Sequence, residues 1–296
     1  MATLVGAAVA LTACGGGGGA SGPGDETPLT IGAIPDQDPE MLQRLYGTVA
    51  DYLEAQLGVP VRYRPVTDYT ASVSLFRSGE LDMVWFGGLT GVQARLQVDG
   101  ARAILQRDID ESFHSVFIVS ASTGLAPFGD VEGLEALRGR RLTFGSESST
   151  SGRLMPQFFL QEAGVGIDDF AGEVGFSGSH DKTIDLVESG SFEVGVVNEQ
   201  VWRDRVAAGE VDLDTVSAVF RTPPYHDYHW VVRPEVATRY GDGFVAKVQE
   251  AFMGLDRGDP AEAEILDLFG ADRFIETSDD NYAQIEEVAT QIGLVR

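Results

Sequence analysis

The chain carries a second copy of part of itself, and that repetition limits the folds open to it. Residues 73–83 (Val-Ser-Leu-Phe-Arg-Ser-Gly-Glu-Leu-Asp-Met) lie over residues 184–194 (Ile-Asp-Leu-Val-Glu-Ser-Gly-Ser-Phe-Glu-Val) without a gap. At the same offset Ile31 meets Leu142, Tyr69 meets His180, and Gly87 meets Asn198. A helix closing on Ser-Gly before a strand recurs by chance, because glycine is the usual helix terminator. Chance is a poor account of a first strand, a loop and a strand end that align as well. The sequence therefore describes two homologous lobes.

Each lobe reads as alternating strands and helices. Residues 29–34 form a short apolar run, followed by a helix over Pro39–Leu57 with Leu42, Leu45, Val49 and Leu53 on one face. Residues 59–65 and 81–86 read as buried strands with a helix over 71–78 between them. The order recurs as strand 141–145, helix 152–163, strand 173–177, helix 182–189 and strand 192–197. This alternation predicts α/β lobes, each a mostly parallel sheet flanked by helices, with ligand-facing loops at the carboxyl ends of the strands. Residues 114–120 read as an extended segment leaving lobe one, and 216–221 as the return, just before Thr222-Pro223-Pro224. A further strand over 230–233 and helices near 243–255, 261–268 and 281–292 complete the chain. Lobe one is thus residues 29–118 plus 222–296, and lobe two residues 119–221. Two crossing strands make a hinge, as in a closing clamshell.

The bulk composition bounds the partners. A formal net charge of -25 argues against nucleic acid and anionic membrane surfaces, which need a positive footprint. The single cysteine, Cys14, excludes an intrachain disulfide. It ends the apolar run 2–13, which is too short to span a bilayer but suits the apolar region of a signal peptide. Leu11-Thr12-Ala13-Cys14 resembles a bacterial lipobox, which makes residues 1–13 a signal peptide and Cys14 the lipidated residue. The Gly-rich stretch through residue 28 would be a flexible tether. No Lys or Arg precedes the apolar run, which points to a start further upstream.

The loop Gly145-Ser146-Glu147-Ser148-Ser149-Thr150-Ser151-Gly152 sits between a strand and a helix. One hydroxyl suffices for a helix cap; the surplus, together with first-turn amides at the positive end of the helix dipole, makes an anion site. It lacks the Gly-Lys-Ser/Thr ending of a phosphate-binding P-loop. His180 and its repeat-mate Tyr69 give each lobe a polar ring at a strand-end loop, and a partly protonated His180 would add a charge-assisted hydrogen bond. Asp36, Gly87, Gly88, Asn198 and Glu199 also lie at strand ends, and the glycine pair permits close backbone approach. Tyr225, His226 and His229 follow the hinge. The two histidines have helical spacing in an extended region with no Cys or Glu ladder, so no metal and no cofactor are expected. Ser149 with His180 could be drawn as a dyad, but no orienting group or oxyanion hole is visible, and an enzyme is not expected.

Taken together, Ile34-Pro35-Asp36, Val66-Thr67-Asp68-Tyr69, the run from Ser78 to Gly88, Ser149-Thr150-Ser151-Gly152 and Ser179-His180-Asp181 resemble the phosphonate/phosphite/phosphate-type substrate-binding proteins of ABC transporters. Within them the likeness is closest to the branch described as putative selenate-binding. The resemblance runs from residue 29 to the end. It implies a type II periplasmic-binding-protein fold and a monomer that captures a small tetrahedral oxyanion for the membrane subunits of an importer. It also implies that Ser149, Thr150 and Ser151 cradle the anion while Tyr69 and His180 close on it from either lobe. Residues Asn198-Glu199 occupy a place where relatives vary with their ligand. The same fold also serves ligand-sensing subunits of signalling receptors and some enzymes, and both alternatives stay open at this point.

Overall fold

The computed structural model describes residues 27–295; Cys14 and the expected signal peptide lie outside the described residues. Strands β1 (Leu29–Ala33), β2 (Val61–Tyr63), β3 (Met83–Phe86), β4 (Arg102–Arg107), β10 (His229–Val232) and β11 (Phe274–Glu276) form a six-stranded sheet in the order β11-β4-β10-β3-β1-β2. Strands β5 (Ser115–Ser120), β6 (Leu142–Phe144), β7 (Gly175–Phe176), β8 (Val194–Asn198) and β9 (Val216–Arg221) form a five-stranded sheet in the order β7-β6-β8-β5-β9. Helices α1 (Pro39–Leu57), α2 (Tyr69–Ser78) and α3 (Gly88–Gln97) belong to the first sheet's repeat unit. Helices α4 (Met155–Glu162), α5 (His180–Glu188) and α6 (Glu199–Ala207) are their counterparts on the second. The C-terminal helices α7 (Glu235–Tyr240), α8 (Phe244–Met253), α9 (Pro260–Phe269) and α10 (Ala283–Ile292) follow β10 and flank β11 in the chain.

The repeat is preserved in the hydrogen-bonded register. Ile31 pairs with Met83 across β1 and β3, and their repeat-mates Leu142 and Val194 pair across β6 and β8. Local chemistry sets the helix ends in the same way in both copies. The Asp68 carboxylate accepts from the Ala71 amide to start α2, and the Ser179 hydroxyl accepts from the Lys182 amide to start α5. Gly79 ends α2 in the left-handed conformation (φ 81°) that a side chain resists. These helices begin at Tyr69 and His180 themselves, so both rings sit in a first helical turn rather than in the preceding loop.

Each sheet is mixed, because the chain crosses between lobes twice. Strand β10 runs antiparallel to β3 and β4, and β5 runs antiparallel to β8 and β9. Strand β5 lies wholly in the second sheet, so the outward crossing falls before Ser115 rather than after residue 118. At the crossing the outgoing and returning segments bond to each other. The Phe113 amide donates to the Tyr225 carbonyl (2.9 Å), and the Tyr225 amide to the Phe113 carbonyl (3.0 Å). Helices α3 and α6 and strands β4 and β11 have no counterpart in the sequence reading. Helix α3 is rich in Gly, Thr and Gln, and β4 carries Gln106 and Arg107, so neither shows a clean apolar period.

Candidate functional site

The strand-end loops of the two sheets face each other and close on a buried polar cluster. Asp36, Tyr69, Ser149, Thr150, Ser151, His180 and Asn198 are all more than nine-tenths buried, as are Asp227 and Tyr228, which come from the return crossing. Burying so many polar groups is tolerable only where partners satisfy them, and Thr150, Asn198 and Tyr228 find theirs across the lobe boundary.

Ser149 caps a wide π-helical turn over Thr150–Leu154, its Oγ accepting from the Gly152 amide (2.9 Å) and leaving the hydroxyl proton free to donate. Glycine is required at 152, where a Cβ would lie 2.9 Å from Ser149 Oγ and 3.2 Å from both Gly145 Cα and His180 Cε1. The expected regular helix from Gly152 starts instead at Met155, because the chain opens into this wider turn first. Thr150 Oγ1 reaches the other lobe and accepts from the Leu89 amide (2.9 Å) at the start of α3. The Ser151 carbonyl accepts from Ser115 Oγ (2.8 Å), which also meets the Tyr225 hydroxyl (2.6 Å). Tyr225 therefore braces the Ser151 backbone from behind.

On the facing lobe, Gly88 donates its amide to Asp227 Oδ1 (2.9 Å). A Cβ at Gly87 would stand 3.2 Å from both Asp227 Oδ1 and Thr150 Oγ1, so the glycine there admits the opposing loop. Among the described residues, buried Asp227 Oδ2 has no hydrogen-bond partner. The hydroxyls of Thr150 and Ser151 lie close enough to ease its ionisation, but burial outweighs them and pushes its pKa up to about 7. The Tyr69 hydroxyl is likewise buried without a partner. Ser149 lies near enough to influence it without meeting it in hydrogen-bond geometry, and burial pushes its pKa well up.

His180, Asn198, Tyr228 and Asp36 form a second, fully paired chain. His180 Nδ1 accepts from the Asn198 amide (3.3 Å), which places the imidazole proton on Nε2, facing the Tyr228 oxygen at 3.5 Å. Asn198 Oδ1 accepts from the Val201 amide (2.7 Å), so its NH2 is turned to donate to Tyr228 Oη (2.9 Å). Tyr228 in turn donates to Asp36 Oδ2 (2.8 Å). The His180 amide donates to the Asp36 carbonyl (3.0 Å) across the same boundary. Burial holds Asp36 near pKa 6 despite the Tyr228 bond, and drops His180 to about 3. The partly protonated histidine expected from sequence is therefore a neutral donor, because a buried ring with no anionic partner sheds its charge.

Glu199 does not join the cluster. Its carboxylate is held by Arg221, with Nε at 2.7 Å and Nη2 at 2.9 Å, on the outer side of the crossing. Asp227 and Tyr228 are what sequence reasoning missed. They stand between the noted Tyr225, His226 and His229, but their partners are far away in the chain. His229 stacks on Tyr282 with ring centroids 3.7 Å apart and bonds the Asp227 carbonyl through Nδ1 (3.0 Å). Beside the ring of hydroxyl donors, a phenol hydroxyl (Tyr69) and a carboxylate oxygen (Asp227) have no hydrogen-bond partner among the described residues. Such a set suits a small anion that accepts several hydrogen bonds and donates one. Outside it, a cavity of about 560 Å³ lies between the lobes, lined by Pro35, Asp38, Tyr69, Ser146, Ser179 and Lys182 among others.

Known proteins bear on this geometry. Residues 31–282 match the family described as ABC transporter, phosphonate, periplasmic substrate-binding protein. The chain is 44% identical over 269 residues to the probable ABC transporter phosphite binding protein PhnD1 of Prochlorococcus marinus (strain MIT 9301), covering 90% of this chain and 91% of the relative. The structure of that PhnD1 in complex with methylphosphonate superposes with a TM-score of 0.87, covering 90% of this chain and 98% of the other. The phosphonates-binding periplasmic protein of Escherichia coli (strain K12) is 23% identical over 269 residues, covering 89% of this chain and 76% of that protein. A binding protein component of an ABC phosphonate transporter from Pseudomonas aeruginosa, 17% identical, shares the fold with a TM-score of 0.76, covering 89% and 86% of the two chains. None of these relatives points to selenate. This two-lobed chain belongs to the periplasmic phosphonate substrate-binding proteins of ABC transporters.

Proposed function

We propose that the cleft between the lobes captures a small tetrahedral oxyanion that still carries a proton, phosphite or methylphosphonate, for delivery to an ABC importer. The observation that carries this is the pair of unpaired buried groups, Tyr69 Oη and Asp227 Oδ2, beside Ser149, Thr150 and Ser151. The hydroxyl donors would take the charged oxygens, with Tyr69 closing on them. Neutral His180 Nε2 would add a donor if Tyr228 yields to the ligand. Asp227 Oδ2 would accept the remaining O–H, and as an anion it would repel an oxyanion with no proton to give. The 44% identity to a phosphite-binding relative whose structure holds methylphosphonate supports the same ligand class. Gly87 and Gly88 serve as the close-approach backbone, and Asn198, Asp36 and Tyr225 support the groups that touch the anion. No enzymatic step is assigned to these residues; they bind and release. Lipid attachment at Cys14 would hold the protein at the outer face of the membrane, with several acyl chains supplying the stable anchoring that one cannot.

Calorimetry with phosphite, methylphosphonate, phosphate, sulfate and selenate tests the ligand class. Phosphite and methylphosphonate should bind, and sulfate and selenate should not. No heat with any of them would overturn the reading. Cys14→Ser should release the protein from the membrane fraction, and a variant that stays membrane-bound would contradict the anchor.

A further inference from the structure

Behind the anion cleft the lobes meet a second time, through a contact that touches none of the groups assigned to the ligand. Gln200, in the first turn of α6, is 5% exposed, and its side chain reaches across to lobe one. Its Nε2 donates to the Phe269 carbonyl (3.0 Å), and its Oε1 accepts from Arg107 Nη1. Both partners belong to lobe one, at the ends of α9 and β4.

The slot that receives it is complete without it. Arg107 is locked by a two-pronged bond to Asp110, with Nε at 2.7 Å and Nη2 at 2.8 Å, and its Nη1 also donates to the Phe269 carbonyl (2.8 Å). The guanidinium lies 4.9 Å from the Tyr228 ring centroid, 5.5 Å from Trp85 and 5.6 Å from Phe113. Its charge is thus spent within lobe one, and what remains for lobe two is a rigid donor beside a carbonyl acceptor. The next residue after Phe269 is Gly270, in the left-handed region (φ 62°), and a side chain there would collide with the Gln200 amide. A side-chain amide, with one donor end and one acceptor end, fits that pair where a carboxylate or an alkyl group would not.

We infer that Gln200 is a closure residue, a latch that docks into the Arg107–Phe269–Gly270 slot and stabilises the closed form independently of the anion. The inference rests on the reading of this protein as a closing binding protein. It follows that affinity is set partly outside the cleft. Asn198, two residues before Gln200, bonds Tyr228 within the polar cluster, so the start of α6 engages lobe one at both places. Closing energy supplied by the latch slows release without changing which anion is chosen.

The test compares wild type with Gln200→Ala and Gln200→Asn, the second of which keeps the amide but shortens its reach. Rapid-mixing kinetics with methylphosphonate should show release accelerated about 10-fold in both, as loss of one neutral and one charge-assisted bond implies, with association changed less than about 2-fold. The ratio of phosphite to methylphosphonate affinity should stay the same, and the melting temperature without ligand should move by no more than about 2 °C. Unchanged release, or a large loss of unliganded stability in both variants, overturns the latch. If wild type binds none of the anions, the functional reading fails on its own terms. Small-angle scattering then decides the latch: Gln200→Ala must give a larger radius of gyration than wild type, and an equal one refutes it.

Discussion

The two lobes share a frame and divide the chemistry. Their parallel strands keep one register, and α2 and α5 start from matched caps, yet the first-turn rings are a phenol in one lobe (Tyr69) and an imidazole in the other (His180). At the end of the third strand, Gly87 brings backbone close to the opposing loop, whereas Asn198 brings a side-chain amide. Lobe two supplies three consecutive hydroxyl residues and a neutral ring. The lobe-one side supplies the carboxylates of the cluster, Asp36 and Asp227, both pushed upward by burial. A duplicated frame has thus come to present most of its donors from one half, joined by the Tyr69 phenol, and its carboxylate acceptors from the other. An anion with a proton needs both, and an anion without one is served by only half of the site.

Breaking the bridge between the halves should cost most. Thr150→Val keeps the shape but strands the buried Leu89 amide and removes a hydroxyl from the anion's surroundings. Affinity for methylphosphonate should fall about 100-fold by calorimetry, the loss of roughly 3 kcal/mol expected for an orphaned buried donor plus a lost bond. Tyr69→Phe removes a hydroxyl that has no partner until a ligand arrives. It should weaken binding about 10-fold yet leave the ligand-free protein equally or more stable, since nothing in the fold depends on that group.

The pH dependence separates the lobes further. Asp227 has a folded pKa of about 7 against an ordinary value of 3.8, so the folded protein holds this proton more tightly than the unfolded chain does. That difference favours the fold below pH 4, and the advantage is lost as pH rises through 4 to about 7. Asp227→Asn removes the ionised carboxylate. The ligand-free melting temperature should rise by about 4 °C at pH 8 and hardly move at pH 4, measured by scanning calorimetry. His180, lowered from 6.5 to about 3 by burial, acts in the opposite sense: it costs stability as pH falls from about 6.5 towards 3, equally in wild type and in Asp227→Asn, so it cancels from the difference between them. The smallest effect belongs to Glu199→Ala, which cuts a peripheral pair with Arg221 and should change affinity less than about 2-fold.

Much of this division was written in the chain, but unevenly. The lobes, the hinge segments and the Ser149-Thr150-Ser151 loop were legible because each rests on local signals: a repeat, caps, glycine stops and a surplus of hydroxyls. Tyr69 and His180 were legible as repeat-mates. Asp227 and Tyr228 were not, because what makes them matter is non-local. Asp227 receives the Gly88 amide, and Tyr228 binds Asp36, Asn198 and His180, each from a distant segment. Nothing in Tyr225-His226-Asp227-Tyr228-His229 distinguishes a site from a loop until the return crossing is placed against both lobes. Glu199 misled for the opposite reason. It follows a strand end, as a ligand residue should, but an arginine at the end of β9, two strands away, draws it outward.

The division between the lobes has its sharpest consequence at Asp227, whose carboxylate should enforce the need for a proton on the ligand. Isothermal titration of wild type and Asp227→Asn with methylphosphonate and with sulfate at pH 8, where Asp227 is ionised, measures this directly. Wild type should bind methylphosphonate and reject sulfate. Asp227→Asn should lose at least about 10-fold for methylphosphonate and gain measurable sulfate binding, because an amide can donate where a carboxylate only repels. Equal preference in both proteins, or a wild type that binds sulfate as tightly as methylphosphonate, would contradict it.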